Sequence, residues 1–190
     1  MGWTTMHETR TAKQFFLDMF KNETNYEIVD IAIKNFTTAY IAIKDLKKGY
    51  VYCQTYLIHR APKSYENFGY KPVSEFCGPV TAECPKRILD KLTPLDEIVK
   101  LSELEDFSAK SIEWAKGWRE RCYNNIEASK KLKNAVIKTD EPIHFTSGNS
   151  YQYFKRKGKR WFAIANYGTK AEMLMPVRVS GWRNIPYTFV

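Results

Sequence analysis

Between residues 26 and 58 three strand-like runs follow one another with almost nothing between them, and this spacing constrains the fold more than any other feature. Residues 26–34 carry Ile28, Val29, Ile31 and Ile33. Residues 37–44 carry Ala39, Tyr40, Ile41 and Ile43, and residues 50–58 carry Val51, Tyr52, Tyr56, Leu57 and Ile58. Asn35 separates the first two runs, and the segment 45–49, ending in Gly49, separates the second two. Parallel pairing needs a crossover of about a dozen residues or more, so separations this short predict an antiparallel meander. Upstream, Thr11-Ala12-Lys13-Gln14 reads as a capping box, and Phe15, Phe16, Met19 and Phe20 follow at helical spacing. A helix packed on antiparallel strands is the expected product.

Residues 60–85 are different. Pro62, Gly69, Pro72, Gly78, Pro79 and Pro85 punctuate them too densely for a long helix or a central strand. Tyr65, Phe68, Tyr70 and Phe76 give the stretch packing surface, so it is expected to be an ordered loop, either functional or covering the sheet. Pro85 suits the first position of a short helix over 86–92. Residues 96–107 are acidic and ambiguous. Ser108 reads as the N-cap of a long helix reaching about residue 133. Its buried stripe is Ile112, Ala115, Trp118, Cys122 and Ile126, extended by Trp114.

After residue 134 the pattern changes to short strands, at 135–138, 143–145, 151–156, 160–166, 172–179 and 187–190, with Gly148, Gly158, Gly168 and Gly181 between them. Regular short strands with glycine turns predict a small SH3-like β-barrel. The expected organisation is an α+β domain over 1–133 followed by a basic barrel-like domain over 134–190.

Charge follows the same division. The chain of 190 residues has a formal net charge of +9. Residues 1–133 hold 21 Lys and Arg against 18 Asp and Glu, a net +3, whereas residues 134–190 hold 9 against 3, a net +6. A concentrated positive field attracts polyanions: nucleic acid, an anionic surface or an acidic partner. No apolar run approaches the roughly 18–20 residues that span a bilayer. The opening has neither a basic n-region nor an apolar h-region, so a cytoplasmic protein without membrane contact is expected. Accordingly Cys53, Cys77, Cys84 and Cys122 are expected as reduced thiols. A zinc site from Cys77, Cys84 and His59 lacks the closely spaced ligand pairs such sites use, so no metal and no cofactor is expected.

The segment Tyr151-Gln152-Tyr153-Phe154-Lys155-Arg156-Lys157-Gly158-Lys159-Arg160-Trp161-Phe162 is the sharpest chemical feature. It reads as a hairpin turning at Lys157-Gly158. Lys and Arg bind phosphates with release of counterions, and aromatic faces stack on unpaired bases. Tyr151, Tyr153, Lys155, Arg156, Lys157, Lys159 and Arg160 are therefore candidate nucleic-acid contacts, with Arg178 and Arg183 as extensions. By period-2 alternation Trp161 shares a face with Ala163 and Phe162 with Ile164, so half the aromatics are expected to be core. Arg119, Arg121, Lys130, Lys131 and Lys133 of the long helix are possible continuations of the patch. A second reading is a small metal-independent ribonuclease, with His59, Arg60, Glu8 and Tyr65 as base, phosphorane stabiliser and partners. A third is a protein–protein interaction module. No P-loop, dinucleotide fingerprint or nucleophile elbow is present, which argues against nucleotide hydrolysis, hydride transfer and esterase chemistry.

Met1-Gly2-Trp3-Thr4, Tyr65-Glu66-Asn67-Phe68-Gly69-Tyr70-Lys71, Cys77-Gly78-Pro79, Cys84-Pro85 and Trp118-Arg119-Glu120-Arg121-Cys122 resemble a family of uncharacterised small basic proteins encoded on bacterial plasmids, integrative elements and phages. The resemblance covers most of the chain, to Lys159-Arg160-Trp161, and carries no catalytic residue with it. It implies an anti-defence context, such as an anti-CRISPR protein. A basic chain in that context is expected to engage RNA or DNA, with RNA favoured over duplex DNA, a nucleoprotein complex, or an acidic protein surface. Mimicry of DNA would call for an acidic chain.

Overall fold

The structure is a computed structural model and describes residues 2–61, 66–77, 81–101, 107–133, 135–158, 160–179 and 185–190. The α+β class holds, and the chain divides into two compact units, residues 1–126 and 127–190.

The first unit contains β1 (Thr4–Met6), α1 (Ala12–Phe20), β2 (Tyr26–Lys34), β3 (Thr38–Asp45), β4 (Val51–Arg60), β5 (Phe68–Ser74), α2 (Lys86–Leu89) and α3 (Leu95–Leu101). It also takes most of α4 (Ala109–Lys131). Its sheet is antiparallel throughout, in the order β1-β5-β4-β3-β2. The meander β2–β4 forms as its spacing requires. The segment expected to be loop supplies a fifth strand, β5, and the N-terminal strand β1 pairs with it. Two substitutable-looking residues explain why β5 is possible. Pro72 lies beyond the reach of β1, which pairs only with residues 68–70, so its missing N–H leaves no ladder bond unmade on that side. At Gly69 a Cβ would stand 3.3 Å from Thr5 Cγ2 and 3.5 Å from the Trp3 ring, so glycine lets Trp3 close over the strand.

Helices cover both faces of this sheet. On one, Phe15 and Phe16 of α1 pack on Ile31, Ile41, Ile43, Tyr56, Ile58 and Phe68. On the other, Ile88, Leu89, Leu92, Trp118 and Cys122 pack on Ala32, Tyr40, Ala42 and Cys53. Central strand β3 is therefore buried on both sides, which is why it reads as an unbroken apolar run. Thr11 caps α1 by accepting from the Gln14 amide at 3.2 Å, but the Gln14 side chain donates to Asp18 instead of closing the box. Pro85 is the N-cap of α2 and precedes its first turn. Ser108 Oγ accepts from Ser111 N at 3.1 Å at the start of α4. Ala115, Trp118 and Cys122 form the buried stripe of α4; Trp114, expected on the same face, is 40% exposed beneath the Lys110 ammonium.

The second unit contains β6 (Val136–His144), β7 (Ser150–Lys157), β8 (Arg160–Ala165), β9 (Met173–Val177) and β10 (Tyr187–Phe189). The expected barrel does not close. The strands form an open antiparallel sheet in the order β10-β6-β7-β8-β9. Its two edges are a three-residue strand and a strand carrying Pro176, which has no ladder donor, so they offer little for mutual pairing. The runs expected at 135–138 and 143–145 are parts of one strand, β6, interrupted by a register shift between Lys138 and Ile143. Gln152 Nε2 donates to the carbonyls of Thr139 and Asp140 at 2.9 and 3.1 Å and fills that irregularity. Ile137, Phe154 and Ala163 form the core, packed by Leu132, Ile143, Phe145, Tyr151, Trp161, Val177 and Tyr187. Among the described residues no helix is long and apolar enough to cross a membrane.

Candidate nucleic-acid interface

Strand register sorts the hairpin residues onto two faces. Directly opposed residues share a face, and faces alternate along each strand. Phe154 opposes Ile137 and Ala163, and all three are fully buried. Arg156 opposes Trp161 on the same side, and its Nε donates to the Gly158 carbonyl at 3.1 Å. Tyr151 packs with this core, its ring 5.9 Å from that of Phe145. These residues build the unit.

The other face carries different chemistry. Lys138 opposes Tyr153, Lys155 opposes Phe162, and Lys157 opposes Arg160. Tyr153, Lys155 and Lys157 alternate along β7, and Arg160 and Phe162 along β8, so four cations and two aromatic rings occupy one side of the sheet. The Lys138 ammonium lies 5.7 Å from the centre of the Tyr153 ring. Tyr167, from the β8–β9 turn, stacks on the same ring with centroids 4.1 Å apart and planes 13° from parallel. The flanking backbone holds it there: Asn166 and Gly168 both take left-handed φ values, 55° and 77°. Apart from Ile164, which is buried, the residues of this face are half-buried or exposed.

Three of the four cations here are uncommitted, Lys138 being the one that lies against a ring. Every described ion pair of the chain lies at or before Lys130. Among the described residues, the side chains of Lys155, Lys157 and Arg160 have no ion-pair or hydrogen-bond partner. Arg178 follows β9 and is exposed. Lys159 and Arg183 lie outside the described residues.

Sequence reasoning missed Lys138, Tyr167 and the orientation of Phe162. Lys138 faces Tyr153 only through the β6–β7 register, and Tyr167 reaches it only through a turn conformation.

The residues cast for hydrolysis are arranged differently. Glu8 is buried, and the Arg10 guanidinium grips it with Nη2 to Oε2 at 2.6 Å and Nε to Oε1 at 3.0 Å. The Arg10 backbone N–H adds a bond of 2.7 Å to Oε1. Hydrogen bonding by Arg10 holds the Glu8 carboxyl at about 2. Arg60 donates to the carbonyls of Glu8 and Arg10 at 3.1 and 2.9 Å while its guanidinium lies over the Phe68 ring. His59, adjacent on β4, points to the opposite side of the sheet and meets the Trp3 ring edge-on at 6.4 Å. Thus Glu8 and Arg60 meet in a clasp that ties the N-terminal segment to β4, and His59 does not join them. Tyr65 lies outside the described residues.

Cys53, Cys84 and Cys122 are buried together in the core under α4, and Cys77 is exposed. Burial pushes the Cys84 thiol up, and the Cys122 thiol up to about 11, away from the reactive thiolate. Among the described residues no group of three or more His, Cys, Asp and Glu side chains is placed to hold a metal ion.

Residues 109–182 match a domain of unknown function, DUF6927. The match takes in α4 and four strands of the second sheet, β6–β9, with Lys138, Tyr153, Lys155, Lys157, Arg160, Phe162 and Tyr167. Over this stretch the expected likeness to a family without an assigned activity is met. Neither the curated proteins nor the solved structures give a match to the chain.

Proposed function

We propose that the protein binds nucleic acid through the β7–β8 face of its second unit. The observation that carries this reading is the set of unpartnered cations, Lys155, Lys157 and Arg160, on the face that also presents Lys138, Tyr153 and Phe162. An ammonium already paired with a carboxylate must give up that partner to bind phosphate; these have none to give up. Phosphate binding then gains from counterion release. Four of the five arginines of the first unit stand in contrast: Arg10, Arg60, Arg87 and Arg119 are committed to carboxylates or carbonyls.

RNA is the favoured ligand over duplex DNA, because side chains on a sheet face meet bases only where these are unpaired. A defence ribonucleoprotein, the target implied by the mobile-element resemblance, would present the same RNA chemistry to this face.

The test is a gel shift with structured RNA, single-stranded DNA and duplex DNA, comparing wild type with the triple variant Lys155→Glu, Lys157→Glu, Arg160→Glu. The triple variant is expected to lose more than about tenfold in affinity with an unchanged circular-dichroism spectrum. Absence of wild-type binding to all three at low salt would sink the proposal.

A further inference from the structure

We infer that the Lys138–Tyr153–Tyr167 row, with Phe162 beside it, is a stacking platform for unpaired bases, so that the ligand is a single strand. This rests on the nucleic-acid reading above and names its substrate class. Three features support it. First, the row crosses the sheet: Lys138 on β6 covers one part of the Tyr153 ring, and Tyr167 stacks parallel to it from the β8–β9 side. Both tyrosines remain half-buried, so ring surface is left over for a ligand. Aromatic surface held in place by neighbours loses little entropy when a base stacks on it.

Second, the cations are arranged beside the rings, as backbone contacts must be when bases stack. Lys155 opposes Phe162 one step along the hairpin from Tyr153, and Lys157 and Arg160 follow at the tip. Phosphates of a strand whose bases lie on Tyr153, Tyr167 and Phe162 would run past these side chains. Third, the charge excludes the other common occupant of an aromatic sheet face, a second copy of the chain. Residues 134–190 carry a net +6, so two such faces repel each other, whereas a polyanion complements them.

A single-stranded RNA or DNA supplies the same chemistry of unpaired bases on a phosphate chain, and the experiment separates the two. The probes are a uridine run and a thymidine run of about twelve nucleotides, each with one fluorescent adenine analogue, and a duplex of the same length. Wild type is expected to quench the analogue on binding and to prefer single strand over duplex. Tyr167→Ala is expected to lower single-strand affinity about tenfold and abolish the quench, with duplex binding unchanged. Tyr167→Phe, which keeps the ring, is expected to behave as wild type, and this controls for the fold of the turn. Preference for the uridine run would name RNA as the source; equal binding of the two runs would mean that only base faces are read. If wild type binds strand and duplex alike and Tyr167→Ala changes neither, the platform is wrong and the phosphate-binding face stands. If wild type binds no probe, both fall.

Discussion

At the residue scale, the first unit uses four of its arginines, Arg10, Arg60, Arg87 and Arg119, internally. Glu75 is fully buried at the end of β5 and accepts from Cys53 N at 2.8 Å and from Arg119 Nε and Nη2 at 2.7 and 2.9 Å. Arg119 also donates to the Thr93 carbonyl at 2.7 Å. It therefore serves as an internal brace, although its place in a basic sequence suggested a share in the ligand-binding patch. Removing one partner leaves the other charge buried and unpaired, so Arg119→Ala should destabilise by about 3–5 kcal/mol in urea unfolding. The Glu8 carboxyl gives a pH signature. Its folded value of about 2 lies below the usual 4.5, so its contribution is present above about 4.5 and is lost as pH falls through about 2. Thermal melts of wild type and Glu8→Gln should therefore differ at pH 6 and converge at the lowest pH. Phe36 is a local flaw: it takes φ of 60° in the β2–β3 turn and is 89% exposed. Phe36→Gly should stabilise by about 0.5–1 kcal/mol, since relief of left-handed strain exceeds the added entropy of the unfolded chain.

At the element scale, α4 is the main closure of the first core. The Trp118 ring is fully buried and packs near-parallel to Tyr40 at 6.4 Å; Trp118 Nε1 and Tyr40 Oη both donate to the Thr81 carbonyl. Trp118→Ala should cost about 3–5 kcal/mol. This stripe was legible in the sequence because a single helix sets its own periodicity. The meander was legible because short connections leave little choice of pairing. Strand β5 was not, since Pro72 and Gly69 are tolerated only by the length of β1 and the position of Trp3, both facts of tertiary structure. The open sheet was not legible either, because strand count and turn spacing are alike for a barrel and an unclosed sheet. For the site, the hairpin and its cations were apparent, but Lys138 and Tyr167 join them only through register. Edge strand β2 shows a similar limit: Arg87 pairs with Asp30 and donates to the Ile31 carbonyl at 2.6 Å, which guards an exposed edge from residues 56 positions away.

At the scale of the whole molecule, the first unit engages Arg10, Arg60, Arg87 and Arg119 internally and buries three of the four cysteines, whereas the second holds the hairpin cations Lys155, Lys157 and Arg160, which have no ion-pair or hydrogen-bond partner among the described residues. Native thiol labelling should accordingly modify Cys77 alone, with the other three reacting only after unfolding. The most direct test of the open-cation account is the salt dependence of wild-type binding to a single-stranded RNA. If Lys138, Lys155, Lys157 and Arg160 each meet a phosphate, log affinity against log salt should fall with a slope of about −3. Binding whose slope is near zero would contradict the account.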